Sequence, residues 1–198
     1  MNIISGSLKG RRIIYDKKLN VRPTTSKSKE GVFNTLNNLY DWSKIRVLDL
    51  FSGSGNISYE FASRGVKKIY CVDNNYDNIK FIKKTSMDLK IDLNIIKYDF
   101  KKFLKKNDEK FDIIFADPPY SYSLQKLTEI VDLIFSEKSV TKGGIFLLEH
   151  NDKIELSNHN LFYLKKKYGS NCFSFFKKKA DHKPDSVLSY HLSRLSIT

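Results

Sequence analysis

The sequence predicts an α/β fold built on a mostly parallel β-sheet. Three observations carry this. Short apolar runs alternate with amphipathic stretches over residues 44–149, the runs are apolar throughout rather than at every second position, and the first opens straight into a glycine-containing loop. Alternating strand and helix patterns mark βαβ units, and strands without a period of two are covered on both faces.

The chain begins with a short β-like segment over 3–15, then Arg22-Pro23-Thr24-Thr25, then a helix through about Leu39. Pro23 disfavours helix just before it, and Thr24 or Thr25 offers a side-chain oxygen to the first free helical amides. Strands are expected over 46–51, 68–73, 94–98, 111–116 and 143–149, with helices over 56–64, 75–89, 100–106 and 122–137. In the second of these helices Ile79, Ile82, Met87 and Leu89 form the apolar face. Lys80, Lys83, Lys84 and Lys90 fall outside it and read as a solvated face rather than an RNA contact. Residues 161–179 and 186–195 read as two long strands joined by the polar turn KKKADHKPDS, closing the sheet as an antiparallel hairpin. No internal repeat, heptad pattern or low-complexity linker interrupts this plan.

With 198 residues the chain supports one principal core. The expected division is an N-terminal hairpin-and-helix extension over 1–40 and a main domain over 41–198. No apolar run approaches the roughly 20 residues of a membrane span, and the N-terminus lacks the ordered regions of a secretory signal, so a soluble cytoplasmic protein is expected. Cys71 and Cys172 are too few for a disulfide framework, and Cys71, inside an apolar strand, reads as an inert buried thiol. His150, His159, His182 and His191 show no metal-ligand spacing with one another or with cysteine, so no metal is expected, and they read as surface or strand residues.

The net charge of +13 is unevenly placed. Residues 1–31 hold eight Lys/Arg and two Asp/Glu, and residues 161–198 again eight and two, while the 129 residues between hold 19 and 18. Basic flanks around a near-neutral middle suggest that both ends line a polyanion-binding face, with solvated lysines as the alternative. Arg11, Arg12, Arg22, Thr24, Thr25, Lys177, Lys178 and Lys179 are the candidate contacts. Lys165, Lys166 and Lys167 read the same way.

Four constellations carry chemistry. In VLDLFSGSGN (47–56), Gly53 and Gly55 permit close backbone approach to a ligand where the strand enters a helix. The third glycine of a dinucleotide fingerprint is missing, and Asp49 would repel a phosphate, so a cationic, amino-acid-bearing ligand suits the loop better. Asp73 ends the second strand, where a carboxylate can accept both ribose hydroxyls of an adenosine, or can instead cap a helix. Asp99 follows the third strand and is placed either for an adenine amino group or for a cap. Asp117-Pro118-Pro119-Tyr120 follows the fourth strand and is the most specific of the four. An exocyclic amine on a base is a weak nucleophile because its lone pair is delocalised into the ring. The Asp117 carboxylate and the Pro118 carbonyl can accept its two N–H bonds and localise that lone pair, the prolines stiffen the loop, and Tyr120 offers a stacking face to an extruded base.

The order DLFSGSGN, VDNN, FADPPY resembles the class I S-adenosylmethionine-dependent methyltransferases, a Rossmann-like group. IISGSLKGRRI, RPTTSKSKEGVFNTL and KKYGSNCFSFF narrow the likeness to the bacterial 16S rRNA guanine-N2 methyltransferases. The resemblance covers nearly the whole chain. It implies a seven-stranded sheet with an antiparallel last strand, a small N-terminal β-hairpin, S-adenosylmethionine as cofactor, and assembled or partly assembled small ribosomal subunits as substrate. It implies that Asp49, Ser52, Gly53 and Gly55 cradle the methionine moiety, Asp73 the ribose and Asp99 the adenine, while Asp117, Pro118, Pro119 and Tyr120 hold the guanine. The stretch with Arg22, Thr24, Thr25 and Glu30 would close over the cofactor and meet RNA. A monomer is expected. The competing readings are an adenine-N6 methyltransferase on DNA or RNA and a non-catalytic rRNA-binding assembly factor. A protein glutamine methyltransferase fits less well, because Asp117 stands where Asn is usual there.

Overall fold

Apolar runs without a two-residue period become the middle of a sheet, because only a central strand has helices to cover both of its faces. The computed structural model describes residues 1–14, 24–169 and 171–178. Seven strands form one sheet: Arg46–Leu50 (β1), Lys68–Asp73 (β2), Asn94–Lys97 (β3), Phe111–Ala116 (β4), Val140–Asn151 (β5), Phe162–Tyr168 (β6) and Asn171–Phe176 (β7). Their order is β3-β2-β1-β4-β5-β7-β6. β1 to β5 pair in parallel, β7 runs antiparallel to β5, and β6 antiparallel to β7. The Rossmann-like α/β sheet with an antiparallel C-terminal end is therefore present.

Among the described residues five helices accompany the strands: Ser26–Asn37 (α1) before β1, then Asn56–Ser63 (α2), Tyr76–Leu89 (α3), Phe100–Lys106 (α4) and Leu124–Ser136 (α5) between successive strands. Successive side chains on each strand feed opposite layers. Val47, Ile113 and Phe115 pack with Val32 and Phe33 of α1, Phe61 of α2 and Ile82 of α3. Leu48, Leu50 and Ile114 pack with Leu104 of α4 and Ile130, Val131 and Ile134 of α5. Each such side chain taken fully out of water contributes about 1.5–3 kcal/mol, so the layers depend on the α5 stripe as much as on the strands.

The helix starts follow side-chain caps. Thr25 accepts from the Ser28 amide, Asn75 from Asp77 and Asn78, Asp99 from Lys102 and Ser123 from Lys126. α5 consequently begins at Leu124, two residues after the expected Tyr122.

At two elements the structure departs from expectation. Residues 161–179 are not one strand: the chain reverses at Gly169, whose φ of 64° is left-handed, so β6 and β7 form a hairpin within that stretch. The sequence pattern points instead to a reversal at KKKADHKPDS, because the apolar content on both sides of Gly169 reads as continuous strand. Residues 179–198, including the expected strand over 186–195, lie outside the described residues. Second, Met87 is 71% exposed, and Thr85 and Ser86 are buried in its place. Ile79, Ile82 and Ser86 share one helical stripe at spacings of three and four, and Met87 is turned about 100° from Ser86. His150 is a strand residue as expected, buried in β5 with its ring nitrogens bonded to the Asn151 carbonyl and to Ser174 Oγ, both at 2.8 Å.

The first 14 residues make a hairpin-like reversal with a single antiparallel bridge, Asn2 to Arg12, so the expected N-terminal ladder is minimal. Bonds within the reversal, such as Ile3 N to the Arg11 carbonyl and Ile13 N to the Met1 carbonyl, hold it together, and others tie it to α2. Ser7 N donates to the Ser63 carbonyl at 2.7 Å, Leu8 N to Ser63 Oγ at 3.0 Å and Ile4 N to Glu60 Oε1 at 2.9 Å. Lys29 of α1 completes the joint. Its fully buried ammonium donates to Glu60 Oε1 at 2.8 Å, Asn56 Oδ1 at 2.9 Å and the Asn2 carbonyl at 2.6 Å. Arg64 takes the other Glu60 oxygen and lies over the Phe33 ring.

Candidate active site

At the carboxyl ends of β1, β2 and β4 the strands stop and the chain turns outward, which opens a crevice at the point where the sheet order reverses. The turn after β1 is tight. Phe51 has a φ of 57°, a costly conformation for a bulky residue, and is wedged against Phe100 at 4.7 Å. Gly55 has a φ of 76°, and a Cβ there would meet the Tyr59 ring at 2.7 Å, so only glycine joins loop to α2 without rearrangement. Ser52 Oγ donates to the Asp49 carbonyl at 2.6 Å and Gly55 N to the Ser52 carbonyl at 2.7 Å, closing the turn on itself.

The acidic groups are held by separate means. Asp49 is buried at the floor, where Ser58 Oγ of α2 donates to its Oδ2 at 2.6 Å and Cys71 Sγ donates to Ser58 Oγ at 3.0 Å. Burial pushes the Asp49 carboxyl up to about 7; the Ser58 hydrogen bond opposes this and the nearby Asp73 charge adds to it. Burial likewise pushes the Cys71 thiol far up, so it is an inert donor. Asp73 Oδ2 accepts the Gly53 amide at 2.8 Å and Asn78 Nδ2 at 3.2 Å, and Oδ1 accepts the Asn75 amide at 2.8 Å.

These residues surround a pocket of about 380 Å³, within the usual range for ligand sites. Thr24, Asp49, Ser52, Gly53 and Asp73 line it, as do Asp117, Pro118, Pro119 and Tyr120 of the loop after β4. Gly55 is behind the loop. Asp99 does not line the pocket; it ends the neighbouring strand and caps α4 through the Lys102 amide at 3.0 Å. Thr25 caps α1 beside Thr24.

Of the candidate RNA contacts among the described residues, only Thr24 lines the pocket. Arg11 and Arg12 are exposed on the N-terminal reversal, with Arg12 bordering a second groove beside Phe81 and Leu89 of α3. Lys177 lies over the Tyr163 ring at 3.7 Å, and Lys178 is exposed. Lys165 and Lys167 pair with Glu155 and Asp152 at 2.6 and 2.9 Å, which occupies them at the surface. Arg22 and Lys179 lie outside the described residues.

Sequence reasoning missed Glu149, Ser58 and Asn56. Glu149 ends β5 and is buried, accepting from Thr24 Oγ1 at 3.0 Å, Asn171 Nδ2 at 2.7 Å and Tyr120 Oη at 3.4 Å. Its signal was present: a lone acidic residue closing the apolar run IFLLEH, as Asp49 and Asp73 close theirs. Ser58 and Asn56 gave none, because only the folded helix turns them toward Asp49 and Lys29.

Three carboxylates, Asp49, Asp73 and Asp117, line the pocket and no Lys, Arg or His does among the described residues. A phosphate-bearing dinucleotide would be repelled there, whereas a ligand with a sulfonium and an ammonium group is matched in charge. Among the described residues no group of three His, Cys, Asp or Glu could hold a metal, and no helix is long and apolar enough to cross a membrane.

The family model described as Conserved hypothetical protein 95 matches residues 1–177. YlbH of Bacillus subtilis, provisionally named an rRNA methyltransferase, is 32% identical over 90% of this chain and 100% of its own. Ribosomal RNA small subunit methyltransferase D of Buchnera aphidicola (subspecies Baizongia pistaciae) is 32% identical over 84% of this chain and 85% of its own. Among solved structures, the 16S rRNA N2 G1207 methyltransferase RsmC of Thermus thermophilus, in complex with AdoMet and guanosine, superposes with a TM-score of 0.65 at 17% identity, covering 81% of this chain and 45% of RsmC. With the acidic, glycine-turned pocket in place at the switch point of the sheet, the chain belongs to the Conserved hypothetical protein 95 family and is a class I S-adenosylmethionine-dependent methyltransferase.

Proposed function

We propose that the protein transfers a methyl group from S-adenosylmethionine to the exocyclic N2 of a guanine in 16S rRNA, acting as a cytoplasmic monomer on assembled or partly assembled small subunits. The observation that carries this is the placement of Asp117-Pro118-Pro119-Tyr120 on the same pocket as Asp49 and Asp73. A base held at the first cluster faces a cofactor held at the second. The names of the relatives support ribosomal RNA as substrate.

S-Adenosylmethionine supplies an electrophilic methyl on a sulfonium that is itself the leaving group. The protein's part is to hold and orient. Asp49 and the turn at Ser52 and Gly53 receive the amino-acid end, Asp73 receives the ribose hydroxyls, and Asp99, fixed by its own cap, is proposed for the adenine edge. Asp117 and the Pro118 carbonyl accept the two N–H bonds of the guanine amine and direct its lone pair at the methyl. Catalysis then rests on proximity and preorganised acceptors. Residues 1–40 act as a cap whose Thr24 borders the pocket. Arg11, Arg12, Arg22, Thr25 and Lys177 to Lys179 are proposed to meet the RNA around the target base.

The deciding experiment is transfer of labelled methyl to small-subunit particles from a strain lacking the enzyme, followed by nucleoside digestion, with wild type beside Asp117→Ala. Label in N2-methylguanosine that falls by about 10²-fold or more in the variant is expected, the scale of losing one preorganised group in a dry site. Label in N6-methyladenosine overturns the base assignment, and tight particle binding without label overturns the catalytic reading.

A further inference from the structure

The Asp-Pro-Pro-Tyr loop fixes its own backbone, but proline rigidity does not fix the side-chain torsions of Tyr120. Tyr120 is 37% exposed and borders the pocket. The Tyr120 hydroxyl reaches Glu149, which is 1% exposed and does not itself line the pocket. Glu149 joins three elements far apart in sequence. Oε2 accepts Thr24 Oγ1 at 3.0 Å, from the residues leading into α1. Oε1 accepts Asn171 Nδ2 at 2.7 Å, from the first residue of β7, and Tyr120 Oη at 3.4 Å, from the loop after β4. All three bonds run toward the Glu149 carboxyl, so each of these donors has one direction in which to point.

We propose that Glu149 is a positioning residue for the methyl transfer: by anchoring the Tyr120 hydroxyl it presets the ring plane on which the target base stacks, and it couples that plane to Thr24 of the N-terminal extension. The inference rests on the reading above, in which Tyr120 meets the base. Stacking tolerates the identity of the base but not the angle of the platform, and a small misplacement of the reacting amine costs rate far more than it costs binding. The antiparallel end of the sheet gains a purpose by the same argument. β7 carries Asn171, which shares Oε1 with Tyr120 and holds the carboxylate from the side opposite Thr24.

The test is a double-mutant cycle on the full chain with Glu149→Gln, which keeps volume and offers one acceptor oxygen to three donors, and Tyr120→Phe, which keeps the ring and removes the hydroxyl. Methyl transfer to undermethylated small-subunit particles gives kcat and KM, and calorimetry gives the S-adenosylmethionine Kd. Each single variant is expected to lose about 10-fold in kcat with the cofactor Kd within about twofold, and the double variant to lose no more than either single one. Losses that multiply, or a Tyr120→Phe enzyme with wild-type kcat, overturn the inference while leaving the functional reading intact. Absence of methyl transfer by the wild-type protein overturns that reading and the inference with it. Should Glu149→Gln fail to fold, Tyr120→Phe alone decides, since its hydroxyl lies at the partly exposed end of the network.

Discussion

The Gly53 amide donates to Asp73 Oδ2 at 2.8 Å, so the loop after β1 and the tip of β2 are locked to each other. One carboxylate therefore shapes the glycine turn and, in the proposed mode of binding, receives the ribose beside it. Asp73→Ala is expected to weaken S-adenosylmethionine binding by about 10- to 100-fold, the size of a lost hydrogen bond to a charged group. Isothermal titration calorimetry measures this directly. An unchanged Kd would show that the ribose is held elsewhere.

Asp49 predicts a pH dependence of cofactor binding. In the free protein its carboxyl titrates at about 7, and a bound ammonium favours the ionised form, so binding releases a proton. Affinity for S-adenosylmethionine should rise as pH increases toward about 7, by at most about tenfold per unit on the acid side, and level off above it. Asp49→Asn should flatten the profile. The stability of the free protein runs the other way, because the folded pKa is raised above 3.8: this group's contribution is full below 3.8 and is lost as pH rises through about 7. Titrations in buffers of different ionisation enthalpy count the released proton, and equal heats across buffers would contradict its release.

The Lys29–Glu60 pair predicts a large stability loss from one truncation. Both side chains are essentially inaccessible, at 1% and 0%. Lys29→Met removes one partner and leaves Glu60 and Asn56 buried with fewer donors, a change that costs about 3 kcal/mol or more. Urea denaturation is the measurement, and a loss below about 1 kcal/mol would mean that Arg64 and the Ile4 amide satisfy Glu60 without Lys29.

Two glycines of the N-terminal reversal separate backbone strain from steric clash. Gly6 and Gly10 both have a φ of 83°, but a Cβ on Gly6 would lie 1.9 Å from the Ser63 carbonyl oxygen, whereas one on Gly10 meets nothing within 4 Å. Gly10→Ala should cost only the left-handed conformation, about 1–2 kcal/mol. Gly6→Ala should cost at least about 1 kcal/mol more, because backbone on both sides must move. Equal losses in urea would show that the reversal lifts off α2 freely.

The sequence by itself determined the central sheet and the identity of the chemical groups. Five apolar runs, four amphipathic stretches and the order of Asp49, Asp73, Asp99 and Asp117 at strand ends were all legible, because hydrophobic period and strand-end position are local properties. So was a threonine cap on α1, although the choice of Thr25 over Thr24 came from the fold. Tertiary structure alone decided what joins these pieces. The hairpin at Gly169 was hidden because apolar strands on either side of one glycine look like a single strand. Lys29, Glu60 and Asn56 meet only once α1 is laid against α2, and Glu149 meets Thr24, Tyr120 and Asn171 only at the antiparallel end of the sheet. The physical reason is common to these cases. A buried charge or amide is tolerated only when partners arrive from other elements, and the partners, separated by as many as 125 residues for Thr24 and Glu149, are chosen by packing rather than by any local pattern.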